Sequence, residues 1–411
     1  MIFHVGKTGK MKSKSRDNFI FRWEIVFLGA LIIYIVSNIL AGSVLTYSST
    51  DQLTVMHYIT KLCRYVAYAM FTLKIIYDAY YSRRSLVYLL IIFSLVGLTY
   101  LGCVNKTILF YLLVVVAAIG IPSNHVLKVT CWTQVIMLIL LVAGSQLGII
   151  MDYVRVDSGR IRHFLGFSWT TTGPILFLFV MLQYIFLKCG VISWIEGLIL
   201  LFVSSFFYIM TNARLAFFMS VASITFFLLF NKSIKNGRFV ITLKKIFIMI
   251  PEMIALFAFA IHYFYNPNNQ IFYRLNTLLS GRLYLGKNAI EKYGIHLFGQ
   301  KIEWIGYGIS ENLRGEYNYV DCSYLQILVE YGVVFLLLVL AIYSLMIKKS
   351  IENKQYYLTW ILLIILVFSI TEPRLLNLTF NPFAFLAVTG DQRIDNDEYK
   401  NKYQIIQEGT V

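Results

Sequence analysis

Charge is what this chain of 411 residues has least of. Asp, Glu, Lys and Arg make up only 14% of it, where a soluble domain carries about a quarter. Hydrophobic residues reach 58% and the mean hydropathy is +0.69, which excludes an ordinary water-exposed globular surface. The alternation of apolar and polar residues that a membrane β-barrel needs is also missing: "IVFLGALIIYIVSNIL" and "SLVYLLIIFSLVGLTYL" are continuously apolar. No small-residue cleavage site follows the first apolar segment, so it reads as a span and not as a secretory signal. The five cysteines show no paired metal spacing and read as small packing residues. There is no tandem repeat, no low-complexity stretch and no outward D-x-D pair that would hold a divalent cation.

What remains is a succession of apolar windows of roughly 17 to 25 residues, the length that crosses a bilayer. The expected fold is all-α, a polytopic integral membrane protein of about 12 transmembrane helices. The apolar segments centre near residues 33, 69, 93, 114, 140, 179, 201, 222, 254, 335, 364 and 382. The segment near 69 carries Lys61, Arg64 and Lys74, so it must face other helices or water. The last is short and holds Pro382, so a half-helix is an open reading there.

Orientation follows from Lys and Arg in the short loops. Residues 1–22 are basic, and the same-side loops hold Arg83, Arg84, Lys128, Lys188, Lys232, Lys235, Arg238, Lys244, Lys245, Lys348, Lys349 and Lys354. The opposite loop around 43–57 has no Lys or Arg. Both termini are therefore expected in the cytoplasm. The chain divides into a basic segment 1–22, a membrane domain 23–390 and a polar tail 391–411. Two loops, 151–170 and 264–322, are long and extracytoplasmic, the second too long for a mere connector. The basic balance reflects topology and not nucleic-acid binding.

Arginines on the expected outer face run against that bias: Arg160 and Arg162, Arg214, Arg282, and Arg374 beside Glu372. Guanidinium groups bind phosphate and carboxylate two-pronged and stay charged, so such a set suits a lipid-linked pyrophosphate or an acidic sugar. Each could also snorkel to headgroups or pair with an acid. Asp321 stands at the mouth of an apolar segment, as a base or as a helix cap. Glu330, inside that segment, is expected to pair with an interior Lys or Arg. His163 reads as a surface histidine and Cys322 as packing.

Four stretches together carry a resemblance. "RHFLGFSWTTTGPILF" is similar to an R-x-x-x-GF-x-x-x-N segment, with Thr171 or Thr172 where Asn is common. "TNARLAF" is similar to T-x-S-R, with Ala213 for Ser. "LLSGRLYLGKNAIEKYGIHLFGQ" is similar to an S-G-R segment followed by "lfG". "YVDCSYLQILVEYGVV" is similar to D-N-S-Y-L-x-x-L-x-x-Y-G, with Cys322 for Asn. In this order they resemble the bacterial O-antigen and capsular polysaccharide polymerases of the Wzy type, relatives of the O-antigen ligases. Ligases carry His where Asp321 stands, which favours polymerase.

The resemblance implies a metal-independent glycosyltransferase of the bacterial plasma membrane, without cofactor. It would move a glycan from undecaprenyl pyrophosphate onto the non-reducing end of a lipid-linked repeat unit. A flippase and a chain-length regulator of the same pathway are the implied partners, besides the bilayer. Asp321 is then the candidate base and Arg214 and Arg282 are the pyrophosphate clamps. Arg160, Arg162, Tyr324, Glu372 and Arg374 bind substrate, Tyr324 by stacking on a sugar. The other class to weigh is a lipid-oligosaccharide flippase, for which internal repeats and short loops are expected.

Overall fold

The computed structural model describes residues 13–46, 54–81, 86–157, 159–306, 308–309 and 317–389. The basic stretch 1–12 and the tail 391–411 lie outside the described residues. The helices run in chain order as α1 (Ser13–Ala41), α2 (Val55–Tyr81), α3 (Leu86–Cys103), α4 (Thr107–Ala117), α5 (Ser123–Gln146), α6 (Thr172–Leu187), α7 (Trp194–Thr211) and α8 (Arg214–Leu229). Two short helices, α9 (Asn231–Asn236) and α10 (Arg238–Thr242), lead into α11 (Lys244–Tyr263). Then follow α12 (Gln270–Leu278), α13 (Arg282–Tyr293), α14 (Ser323–Gln326), α15 (Gly332–Glu352) and α16 (Tyr356–Phe368).

Among the described residues, five stretches are long and apolar enough to cross a membrane: Trp23–Ala41, Ser123–Gln146, Trp194–Thr211, Lys244–Tyr263 and Ser323–Glu352. The shorter apolar helices have a physical reason for being short. α6 has 16 residues, about 24 Å at 1.5 Å per residue, and nearly every side chain from Thr172 to Phe186 is buried. A helix that is apolar all round belongs inside a bundle, where it meets other helices. α16, with 13 residues, is buried in the same way. The lipid-length helices α7 and α11 are the least buried of the five, at 22% and 28% of their windows.

The contacts sort the connections onto two faces, alternating as the order of apolar segments requires. On one face Gly42 accepts from the Ser168 amide at 2.9 Å, Arg162 Nε donates to the Thr211 carbonyl at 3.0 Å, and Arg282 meets Asp321. On the other, His125 meets Glu24, Lys188 pairs with Glu196 at 2.7 Å, and Lys244 pairs with Glu352 at 3.3 Å. Lys74 is buried and donates to both Asp78 and the Ile119 carbonyl at 2.5 Å, so one cation of α2 faces protein as expected. Lys61 is exposed on the helix surface.

Three features depart from the sequence reading. The loop 151–170 contains a hairpin, β1 (Val154–Asp157) against β2 (Arg160–His163), antiparallel. Valines and Ile161 alternate there with polar residues, and Gly159 turns the chain at φ +78°.

The twelfth apolar segment is not a helix. Residues 369–389 form turns and one short 3₁₀ helix, Pro382–Ala387. The segment still crosses the bundle. Ser369 and Glu372 bond to Ser323 on one face, and Thr379 accepts from Gln134 at 2.6 Å in the interior. Phe383 and Phe385 meet Phe186 and Phe27 toward the other face. Irregular backbone at membrane depth is tolerated when protein surrounds it and its polar groups are paired. The asparagines of "LNLTFN" supply partners: Asn377 Oδ1 accepts from the Thr379 amide, and Asn381 Nδ2 donates to Leu375 O and the Tyr343 hydroxyl, each of those at 2.8 Å.

The third departure is a break in the tenth span. Between α14 and α15 the residues Ile327–Tyr331 take a π-helical turn, and Gly332 reverses to φ +89°. Residues 296–300 of the long loop, "HLFGQ", fill the break. Val333 and Val334 amides donate to His296 and Leu297 carbonyls at 3.0 and 3.1 Å, while the Gln300 amide donates to Glu330 O at 2.9 Å. Gln300 Nε2 adds a bond to Val329 O at 3.1 Å. The free amides and carbonyls of an interrupted helix are thus satisfied by the loop. The fit needs glycine: a Cβ on Gly299 would stand 2.2 Å from the Glu330 carbonyl.

Candidate functional site

The site lies where three connections meet. Tyr319, from the long loop, touches Trp169 of the loop 151–170 and Trp304, each at 6.1 Å between ring centroids. Two residues on, Asp321 Oδ2 accepts from Arg282 Nε at 3.1 Å. Arg282 opens α13, which Gly286 packs tightly against His262 of α11. Beside them Glu372 accepts from Arg374 at 2.6 Å, and the Arg374 guanidinium lies over the Phe380 ring at 4.4 Å. Glu372 is within electrostatic reach of both Asp321 and Arg282. Two carboxylates and two guanidiniums from sequence positions far apart therefore form one charged cluster. Ser323 ties it together: its amide donates to Ser369 O at 2.9 Å and its hydroxyl to Glu372 O at 2.5 Å.

Arg282 engages Asp321 through Nε. Its terminal amino groups are the two-pronged donors that a phosphate or carboxylate would take. The side chains of Arg282 and Asp321 are 18% and 23% exposed, open enough for a ligand and sheltered enough to hold the pair.

The remaining predicted residues fall in a second group on the same face. Arg162 donates to the last turn of α7, and Arg214 comes two residues after the left-handed Asn212, exposed at the start of α8. Arg160 is half-buried in β2.

Tyr324 does not fit its expected role. It is 1% exposed, its hydroxyl donates to Leu366 O at 2.8 Å, and it is part of the core. One residue past the helix start, its side chain faces α16 and not the opening.

Three further side chains resolve as follows. His163 pairs with Asp152 at 2.6 Å, and the other Asp152 oxygen accepts from the Leu165 amide, so this pair anchors the hairpin. Cys322 is 1% exposed, and burial pushes its thiol up to about 12, which removes it as a nucleophile. Among the described residues Glu330 has no Lys or Arg partner, where an ion pair was expected. Its Oε1 accepts from Asn105 Nδ2 at 2.5 Å and its Oε2 from Trp304 Nε1 at 2.7 Å.

Sequence reasoning missed Asn105, Trp304 and Tyr319. Asn105 sits in a short turn between apolar segments, and aromatic residues are too frequent in this chain to stand out. The available signal was Glu330 itself: an acid inside a span demands donors. No family model, no curated protein and no solved structure matches the chain.

Proposed function

We propose that this protein is a polysaccharide polymerase, transferring a glycan from a polyprenyl pyrophosphate to a hydroxyl of a second lipid-linked repeat unit. The observation that carries this reading is the pairing of Asp321 with Arg282 at 3.1 Å, beside Glu372 and Arg374. It joins a carboxylate base to a phosphate-binding donor on one face of a membrane bundle.

The steps follow from charge. Asp321 takes the proton of the acceptor hydroxyl as its oxygen attacks the anomeric carbon, and the bond to the pyrophosphate oxygen breaks. Arg282 and Arg374 stabilise the charge that develops on the leaving group. Phosphate competing for Arg282 also frees Asp321 to act as base, which couples donor binding to proton transfer. Arg162 and Arg214, on the same face, are placed to hold headgroup phosphate away from the reacting carbon.

The Lys-rich connections lie away from this cluster, which by the positive-inside rule supports a site on the outer face of the plasma membrane. A purified sample given a lipid-linked repeat unit, without nucleotide or added metal, should form a ladder of products. Loss of the ladder in Asp321→Asn, with protein amount unchanged, supports the assignment; a wild-type sample that forms no ladder refutes it.

The second reading is a lipid-oligosaccharide flippase. The interrupted helix at Gly332 and the irregular crossing 369–389 favour it, since transporters use such breaks. A disruption strain separates the two: a flippase defect strands single repeat units inside, and a polymerase defect leaves them exposed outside.

A further inference from the structure

Next to the charged cluster a cavity of about 210 Å³ opens between the α3–α4 turn, the long loop and α14. Its walls include Tyr111, Trp304 and Tyr319, with Asn105, Gln326 and Glu330 supplying polar atoms. The mouth carries Thr107, which is exposed. At that volume the cavity holds several waters or one six-membered ring with its substituents.

Glu330 decides what can enter. Its side chain is 3% exposed, and it belongs to no ion pair among the described residues. Two carboxylate oxygens offer about four acceptor positions. Asn105 and Trp304 each fill one, and Glu330 lines the cavity, so acceptor capacity remains at its wall. A carboxylate in such a place, held only by neutral donors, calls for a ligand rich in hydrogen-bond donors.

The alternatives fail on chemistry. A phosphate or uronate would be repelled by Glu330. A lipid tail would strip water from Glu330, Gln326 and Asn105 and return no hydrogen bond. A metal ion would find one carboxylate among aromatic rings, too few hard oxygens for stable coordination. An uncharged sugar ring meets every wall: hydroxyls for the carboxylate and amides, and carbon–hydrogen faces for the aromatic rings.

We infer that this cavity is a subsite for one uncharged sugar ring, with Glu330 accepting a hydrogen bond from a ring hydroxyl. The inference rests on the polymerase reading and deepens it. It limits the sugar next to the reacting one to a neutral or N-acetylated residue and excludes a uronic acid there. Tyr319 lines the cavity and precedes Asp321 by two residues, so a ring seated here lies beside the charged cluster.

The test needs no turnover. The full chain is placed in lipid nanodiscs and probed by saturation-transfer NMR with methyl glucoside, methyl galactoside, methyl N-acetylglucosaminide and methyl glucuronide. At least one neutral glycoside should give a saturable signal, and the glucuronide none. Thr107→Phe, which closes the mouth from an exposed position outside the buried network, should abolish the signal. Glu330→Gln should weaken binding roughly ten- to a hundredfold, the worth of one hydrogen bond to a charged group. If Glu330→Gln fails to fold, Thr107→Phe alone carries the test. Absence of any saturable neutral signal overturns the inference, as does a signal that survives Thr107→Phe or an equal signal from the glucuronide. Ladder formation is scored separately. Polymer without glycoside binding sinks the subsite and leaves the polymerase; glycoside binding without polymer does the reverse.

Discussion

Replacing Gly299 with alanine tests the seating of the long loop in the broken helix. Gly299 has φ +83°, and its added Cβ would stand 2.2 Å from the Glu330 carbonyl oxygen and 2.8 Å from Tyr331 backbone atoms. Neither neighbour is a flexible side-chain tip, so the loop must withdraw. Withdrawal loosens the bonds from Val333, Val334 and Gln300 that close the break. Each buried polar group left unpaired costs about 1–3 kcal/mol, and a non-glycine residue at positive φ costs roughly 1–2 kcal/mol more. If only two groups stay unpaired, the total still reaches about 3 kcal/mol or more, a severe loss for one methyl group. Gly120→Ala is the matched control, because Gly120 has φ +79° and nothing within 4 Å of its Cβ position. Thermal unfolding in detergent, read by size-exclusion chromatography, should show Gly120→Ala lowered only by the positive-φ cost that both variants share, and Gly299→Ala several degrees lower still or aggregated. Equal stability of the two variants would mean that the loop does not occupy the break, and the floor of the cavity would fall with it.

Three other outcomes follow from the same geometry. Asp321→Asn keeps an acceptor for Arg282 and loses the base, so the product ladder should fall about a hundred- to ten-thousandfold while folded protein stays normal; a normal ladder would reduce Asp321 to a partner of Arg282, and Arg282→Lys, which loses the planar fork, should be nearly as harmful. Tyr324→Phe deletes only the bond to Leu366 O and should cost about 1 kcal/mol of stability with a wild-type ladder; a lost ladder in stable protein would restore Tyr324 to the site. Asn268→Cys should react with a membrane-impermeant maleimide in intact cells above the level of the parent chain, and reaction only after lysis would invert the orientation and the site with it.

The helical bundle was legible because a bilayer imposes length and apolarity on every helix facing it. α5, α7 and α11 stand out for that reason. The alternation of connections between two faces was legible too, since each apolar segment reverses direction, and pairs such as Lys188 with Glu196 and Arg162 with Thr211 fall on opposite faces as counted. Pairing of Asp321 with Arg282 could only be suspected, because 39 residues separate them and no periodicity links a loop arginine to a helix mouth. The break at Gly332 was not legible. "LVEYGVVFLLL" is apolar but for Glu330, which asks for hydrogen-bond donors and not for a break, and a single glycine within such a run is ordinary in a membrane helix. What opens the helix is the loop segment that replaces its hydrogen bonds, a tertiary fact. The crossing 369–389 was missed for a related reason: hydropathy records whether a segment can be buried and is silent on whether its backbone is helical.

These misreadings coincide with the site, and the coincidence has a cause. A continuous transmembrane helix spends all its backbone polar groups on itself and offers only side chains to a ligand. At Gly332 and along 369–389 the chain departs from the helix, and backbone groups must find other partners. Ser323 and the asparagines of 377 and 381 meet that demand locally, which makes a polar pocket inside an apolar bundle. Only in such a pocket can Asp321, Glu372 and Glu330 remain without lipid contact. Asp321 and Glu372 are held by guanidiniums at the opening, whereas Glu330, deeper, is held among the described residues by neutral donors. Charge neutralised by arginine suits exchange with an anionic leaving group. Charge held by an amide and an indole suits an uncharged partner. On the proposed function, the difference in their partners matches the three carboxylates to two ligands: a pyrophosphate at the cluster and a sugar ring beside it.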